Sequence, residues 1–141
     1  MKSKNSIVFV NFPKQIAKML KKAVLLALKV EKIRKYQINF ILISDEEIKK
    51  LNSRYRKVKR ITDVISFLVS EDLFLGDVYI SKNRSQKQSL KYFQNDWQKE
   101  LCYLAIHGTL HLCGYSDYDP ENKEKMFAKQ DYIFQCLFSH I

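Results

Sequence analysis

Thr62-Asp63-Val64-Ile65-Ser66-Phe67-Leu68-Val69 and Leu75-Gly76-Asp77-Val78-Tyr79-Ile80-Ser81 are two runs rich in β-branched and aromatic residues, joined through an acidic turn at Glu71 and Asp72. Runs of this kind with a short turn between them predict an antiparallel strand pair. Upstream, Ile7 to Phe12 reads as a strand. It leads through Pro13 into Ile16, Met19, Leu20, Ala23, Val24, Ala27 and Leu28, spaced by threes and fours with lysines between, which is an amphipathic helix. Ile38 to Ser44 is a nearly continuous apolar run, as expected of a strand covered on both faces. Ser44 with Glu47 then forms a capping box, and Ile48, Leu51 and Tyr55 supply that helix's inner face. Downstream, Lys82 to Phe93 permits a helix and Asn95-Asp96 breaks and caps. Trp97 to Cys113 is the strongest helix and ends at Gly114, and Pro120 to Leu137 makes the last, with Met126, Ile133, Phe134 and Leu137 apolar. The expectation is an α+β fold, a mixed four-stranded sheet packed with about five helices, with residues 1–141 as a single domain.

Composition agrees. The chain has 141 residues, 46% of them hydrophobic, with only 3 Gly and 2 Pro, which excludes disordered, collagen-like and linker classes. Its formal net charge is +10, but 17 of the 25 basic side chains lie in residues 1–60 beside 4 of the 15 acidic ones. A basic half joined to an acidic half containing His and Asp favours a polyanion-binding surface beside a metal or acid–base site. A solvated, solubility-giving surface is the plainer alternative. Cys102, Cys113 and Cys136 are odd in number, lack CxxC spacing and read as buried thiols in a reducing compartment. Neither a signal peptide nor a membrane span is read, so the expected location is the cytoplasm, with no membrane partner.

The chemistry concentrates in Ala105-Ile106-His107-Gly108-Thr109-Leu110-His111-Leu112-Cys113-Gly114-Tyr115-Ser116-Asp117. Two histidines four apart on a helix project from one face with Cβ atoms about 6 Å apart and can share a metal ion. Gly114 ends the helix, and the turn after it can return Asp117 to the two rings. Two imidazoles and a carboxylate leave one position open to water, the pattern of a catalytic zinc site. A pair of hydrogen-bonded core histidines is the competing explanation, and the carboxylate after the Gly-capped helix end weighs against it. His140 has no partner in the sequence and reads as surface. An HExxH protease needs Glu after its first histidine, and here that position is Gly108.

At this point the sequence resembles a known family. His107-Gly-Thr-Leu-His111-Leu-Cys-Gly114-Tyr115 looks like the H-G-x-L-H-L-x-G-Y-D-H signature of the YbeY endoribonucleases, bacterial rRNA maturation factors. Leu51-Asn52-Ser53-Arg54-Tyr55-Arg56, followed by Thr62-Asp63-Val64-Ile65-Ser66-Phe67, resembles that family's L-N-x-x-Y-R…T-D-V-L-S-F, and Leu75-Gly76-Asp77-Val78-Tyr79-Ile80-Ser81 its L-G-D-I-x-I-S. The resemblance implies a zinc-dependent enzyme acting on RNA in rRNA end processing and small-subunit quality. It also implies partners: the small ribosomal subunit, one of its proteins and a GTPase assembly factor.

Carried over by position, the first two metal ligands fall on His107 and His111, and the functional arginine on Arg56. The third ligand position, normally histidine, is Asp117, with Ser116 where aspartate is usual and Asp119 as a fallback. A carboxylate ligand adds negative charge, makes a bound water less acidic, and admits divalent transition metals other than zinc. In the basic loop the family often has lysine two residues after the arginine, where this chain has Val58 among Lys57, Lys59 and Arg60.

The resulting expectation is a single-strand endoribonuclease with one Zn2+ per chain, or another divalent transition metal. It is held by His107, His111 and Asp117, and its water or hydroxide attacks or acts as base. Arg56 grips the scissile phosphate bidentately, so that Arg56 and His107 are the catalytic candidates, and Arg56, Lys57, Lys59 and Arg60 contact RNA. Asp63 and Asp77 read as caps or turn residues, and Tyr55, Phe67, Tyr79 and Trp97 as core. Two alternatives share these residues: a non-catalytic RNA-binding assembly factor with a structural metal site, and a metal-dependent hydrolase of a small phosphorylated or amide substrate.

Overall fold

The computed structural model describes residues 4–55 and 63–139, with the side chain of Tyr55 excepted. Along the chain run β1 (Ser6–Val10), α1 (Lys14–Val30), β2 (Gln37–Ile43), α2 (Asp45–Tyr55), β3 (Val64–Ser70), β4 (Leu75–Ser81), α3 (Lys82–Tyr92), α4 (Trp97–Leu112) and α5 (Pro120–Phe138). The sheet order is β1-β2-β4-β3, parallel between β1 and β2 and between β2 and β4, and antiparallel between β4 and β3. The mixed four-stranded sheet and five helices are those expected from the sequence, and the antiparallel pair is the Thr62–Ser81 pairing that led to them.

Strand alternation divides the hydrophobic residues between two layers. Ile38, Phe40 and Leu42 of β2 join Val78 and Ile80 of β4 in the main core, with α1, α4 and α5. Ile43 and Ile65 face the other way, with Ile48 and Leu51 of α2, and Ile41, Phe67 and Tyr79 pack against them. Cover on that second face is therefore partial. Asn39 is exposed and its amide donates to Asp77 (3.0 Å), so β2 is not covered on both faces along its length as its apolar run suggested.

Caps are local and match the sequence. Glu47 N–H donates to Ser44 Oγ (3.2 Å) and Ser44 N–H to Glu47 Oε1 (3.4 Å), a complete capping box. Asp96 caps α4 by accepting from Lys99 N–H (3.1 Å). At the other end of α4, Gly114 takes φ 102°, where the left-handed conformation is cheapest for glycine. Gly114 N–H then donates to the His111 carbonyl (3.0 Å) and Tyr115 N–H to that of Leu110 (3.1 Å). This double closure turns the chain sharply back. Trp97 donates its indole N–H to Ser85 Oγ (2.8 Å) and, with Phe67 and Tyr79, packs against the cores. The cysteines differ from expectation: Cys102 is buried and Cys113 half-buried, but Cys136 is exposed, because it falls on the outer side of α5 between the buried Ile133 and Leu137.

Helix α4 is apolar nearly all round and packs on α1, α3, α5, β3 and β4. It approaches the sheet through Gly108. A Cβ there would lie 2.6 Å from Val78 Cγ1 and 3.1 Å from Ser66 Oγ, and Ser66 donates to the Gly108 carbonyl (3.0 Å). Gly108→Ala should therefore destabilise the fold by about 1–3 kcal/mol, although alanine is the better helix former by about 1 kcal/mol, as urea denaturation would measure.

Candidate metal centre

His107 and His111 project from one face of α4 with their Nε2 atoms 3.1 Å apart and their rings nearly perpendicular (84°). The reversal at Gly114 returns Asp117 to them, its Oδ2 4.0 Å from His111 Nε2. One ligand atom from each of the three lies within 4.8 Å of the others. Both histidines are half-buried, and the Asp117 side chain is 45% exposed, so the cluster opens to solvent on the carboxylate side.

The opposite nitrogens decide what the facing ones can do. His111 Nδ1 lies 3.0 Å from the Tyr115 carbonyl, which only accepts, so Nδ1 carries the proton. Gln130 donates its amide N–H to the Tyr103 carbonyl (3.1 Å), which turns its Oε1 toward His107 Nδ1 at 2.9 Å and fixes the proton there too. With Nδ1 engaged on each ring, the two Nε2 atoms face one another, and His111 Nε2 also faces Asp117. Two nitrogen ligands at about 2.0–2.1 Å on a tetrahedral ion are about 3.3 Å apart, close to the observed spacing, and each imidazole already has the outer hydrogen bond that metal-bound histidines carry. The donor set fits one divalent transition metal.

Asp119 is engaged elsewhere. It caps α5, accepting from the Asn122 backbone N–H and side-chain amide (2.8 Å each), which holds its carboxyl below the usual range. Asp63 and Asp77 stay outside the cluster: Asp77 bonds Asn39, and Asp63 accepts from the Gln88 amide (3.4 Å). Cys113 is not part of the cluster, and burial, with Glu31 nearby, pushes its thiol up to about 12. Arg56, Lys57, Lys59 and Arg60, like His140, lie outside the described residues.

Beside the cluster opens a cleft of about 650 Å³, with His107 and Asp117 in its lining. Glu100 lies in its wall, 3% exposed. Burial, with Asp63 nearby, pushes its carboxyl from 4.5 up to about 8. The residue escaped notice in the sequence, as did Gln130. Their signal was polarity on apolar stripes: Glu100, Tyr103, His107 and His111 recur at helical spacing on α4, and Gln130 sits among buried Met126, Ile133 and Leu137 on α5.

Two outcomes follow. Gln130→Leu removes the acceptor at His107 Nδ1 and should weaken metal binding by about 10–100-fold with the chain still folded, as titration against a competing chelator reads. Folded Glu100 keeps its proton from 4.5 up to about 8, where the unfolded chain has lost it, so its contribution to stability falls as pH rises through that window. Glu100→Gln has no proton to lose. Relative to wild type, its stability should rise by at least about 1 kcal/mol between pH 5 and pH 9, as urea unfolding at the two pH values would measure.

Sequence comparison agrees with these features. The family described as Endoribonuclease YbeY matches residues 2–137. An Endoribonuclease YbeY of Endomicrobium trichonymphae is 63% identical over 139 residues, covering 98% of each chain. That of Thermotoga maritima is 38% identical over 108 residues, covering 72% of this chain and 71% of its own. The solution structure of TM1509 from Thermotoga maritima superposes with a TM-score of 0.67 at 32% identity, over 96% of this chain and 89% of that one. The chain belongs to the YbeY endoribonuclease family.

Proposed function

We propose that this endoribonuclease is metal-dependent and cuts single-stranded RNA during maturation of rRNA ends and quality control of the small ribosomal subunit. The observation that carries the reading is the convergence of the His107 and His111 Nε2 atoms, 3.1 Å apart, with the Asp117 carboxylate beside them on the open side. His107, His111 and Asp117 are the residues that would hold the ion, zinc or another divalent transition metal. When bound there, such an ion polarises a phosphoryl oxygen and lowers the pKa of water.

The chain's own groups supply the rest. Gln130 and the Tyr115 carbonyl engage Nδ1 of each imidazole and so turn both Nε2 atoms toward the cluster. Arg56, by family resemblance, grips the scissile phosphate through its planar guanidinium and stabilises charge that develops on it. Lys57, Lys59 and Arg60 would follow the RNA backbone. Lys14, Lys18, Lys21, Lys22 and Lys29 stand exposed along α1 and extend the cationic surface. The partners proposed with this activity are rRNA, the small subunit with one of its proteins, and a GTPase assembly factor, all in the cytoplasm. Among the described residues no helix is long and apolar enough to cross a membrane.

Against a purely structural metal stands the exposure of Asp117, since an ion that only staples a fold is enclosed by its ligands. Protein purified without added metal should carry about one equivalent of transition metal, and RNA cleavage should be chelator-sensitive. His107→Ala should remain folded and RNA-bound while cleavage falls by more than about 100-fold, beyond the loss expected from an outer-sphere change. Less than about one tenth of an equivalent of transition metal, with no chelator-sensitive cleavage, would leave the assembly-factor reading standing instead.

A further inference from the structure

The cleft next to the metal centre has a composition that the phosphate chemistry does not use. Phe93, Tyr103, Phe127 and Phe134 line it, and three of these rings pack into one cluster with centroids 5.4–5.8 Å apart. Phe127 extends that wall to the metal site, its centroid 5.8 Å from the His107 ring. The charged groups of the cleft are mainly acidic, Asp63, Asp117 and Asp131 against Lys123. A phosphate is repelled by such a lining, whereas an uncharged ring carrying hydrogen-bond donors on its edge suits it.

A second, independent observation lies in the same cleft. Glu100 is 3% exposed, and among the described residues its Oε2 has no hydrogen-bond partner. An unmatched buried oxygen is costly, so a group that satisfies it only on binding gains affinity and selectivity together. With its proton retained at neutral pH, the carboxyl offers one donor and one acceptor. Adjacent donor and acceptor positions of that kind occur on the pairing edges of nucleobases.

We propose that this cleft is a nucleobase subsite: the unpaired base next to the scissile phosphate leaves the RNA stack, lies against the Phe127 wall, and bonds through its edge to Glu100. The proposal rests on the nuclease reading above. It makes Glu100 a specificity-determining residue, not a metal ligand, and it gives a physical reason for preferring single strands, because a paired base has no free edge and cannot leave its helix cheaply.

The test uses the full chain and a single-stranded RNA that it cleaves, resynthesised with the base removed at each nucleotide in turn. At one position beside the cleavage site, loss of the base should lower kcat/KM by about fivefold to a hundredfold, the range that stacking supplies per base. Anisotropy of the labelled RNAs in chelator should show weaker binding for that same abasic member. Glu100→Leu keeps the buried volume and removes both hydrogen-bonding atoms. It should retain its metal equivalent yet flatten the ranking of the four bases at that position. If no single abasic position matters beyond twofold, or if Glu100→Leu scales all four bases equally, the subsite is overturned while the nuclease stands. If no member is cleaved in a chelator-sensitive way, the nuclease reading itself falls and the subsite with it.

Discussion

Helix α4 sits against the sheet at Gly108, where Ser66 Oγ reaches the helix carbonyl and Val78 occupies the space a side chain would need. That approach fixes the rotation of the helix about its own axis. With Gly108 turned to the sheet and Leu101, Ala105 and Leu112 packed into the core, the stripe Glu100, Tyr103, His107, His111 has to face α5 and the opening beside it. The same residue that removes a protease glutamate from the sequence also lets the helix lie close enough to the sheet to aim its histidines.

Once aimed, the histidines are held by partners on their far nitrogens. Gln130 and the Tyr115 carbonyl each engage an Nδ1, which leaves the two Nε2 atoms facing one another at 3.1 Å. A cation bound there would draw ligands from both rings at once. Glu100 carries a cost of its own, a buried carboxyl with an orphan oxygen. Both lie on one cleft, and buried polar groups left without partners concentrate where a ligand completes them.

Charge is divided along the same lines. The exposed lysines of α1 extend the basic first half over the outside of the molecule, while Asp63, Asp117 and Asp131 line the cleft. A polyanion is attracted to the outer surface by its backbone and excluded from the interior except where the metal ligands and a free base give it a foothold. Surface and cleft therefore ask for different parts of one nucleotide.

What the sequence by itself determined are the features written within a turn or two of chain: the Ser44–Glu47 box, the Asp96 cap, the left-handed Gly114, the strand pair, and the His107, His111 and Asp117 that these place together. Each depends on spacing that a helix or a tight turn converts directly into position. Tertiary structure decided the rest. Gln130 lies 23 residues from His107 and meets it only because α5 crosses α4, and the same packing buries Glu100 and encloses the cleft. The partial cover on the second face of β2 and the exposure of Cys136 were likewise invisible, because hydrophobicity states what a residue tolerates and not which neighbour arrives. Burial and second partners arise between elements far apart in the chain, and no local pattern carries the angle at which those elements meet.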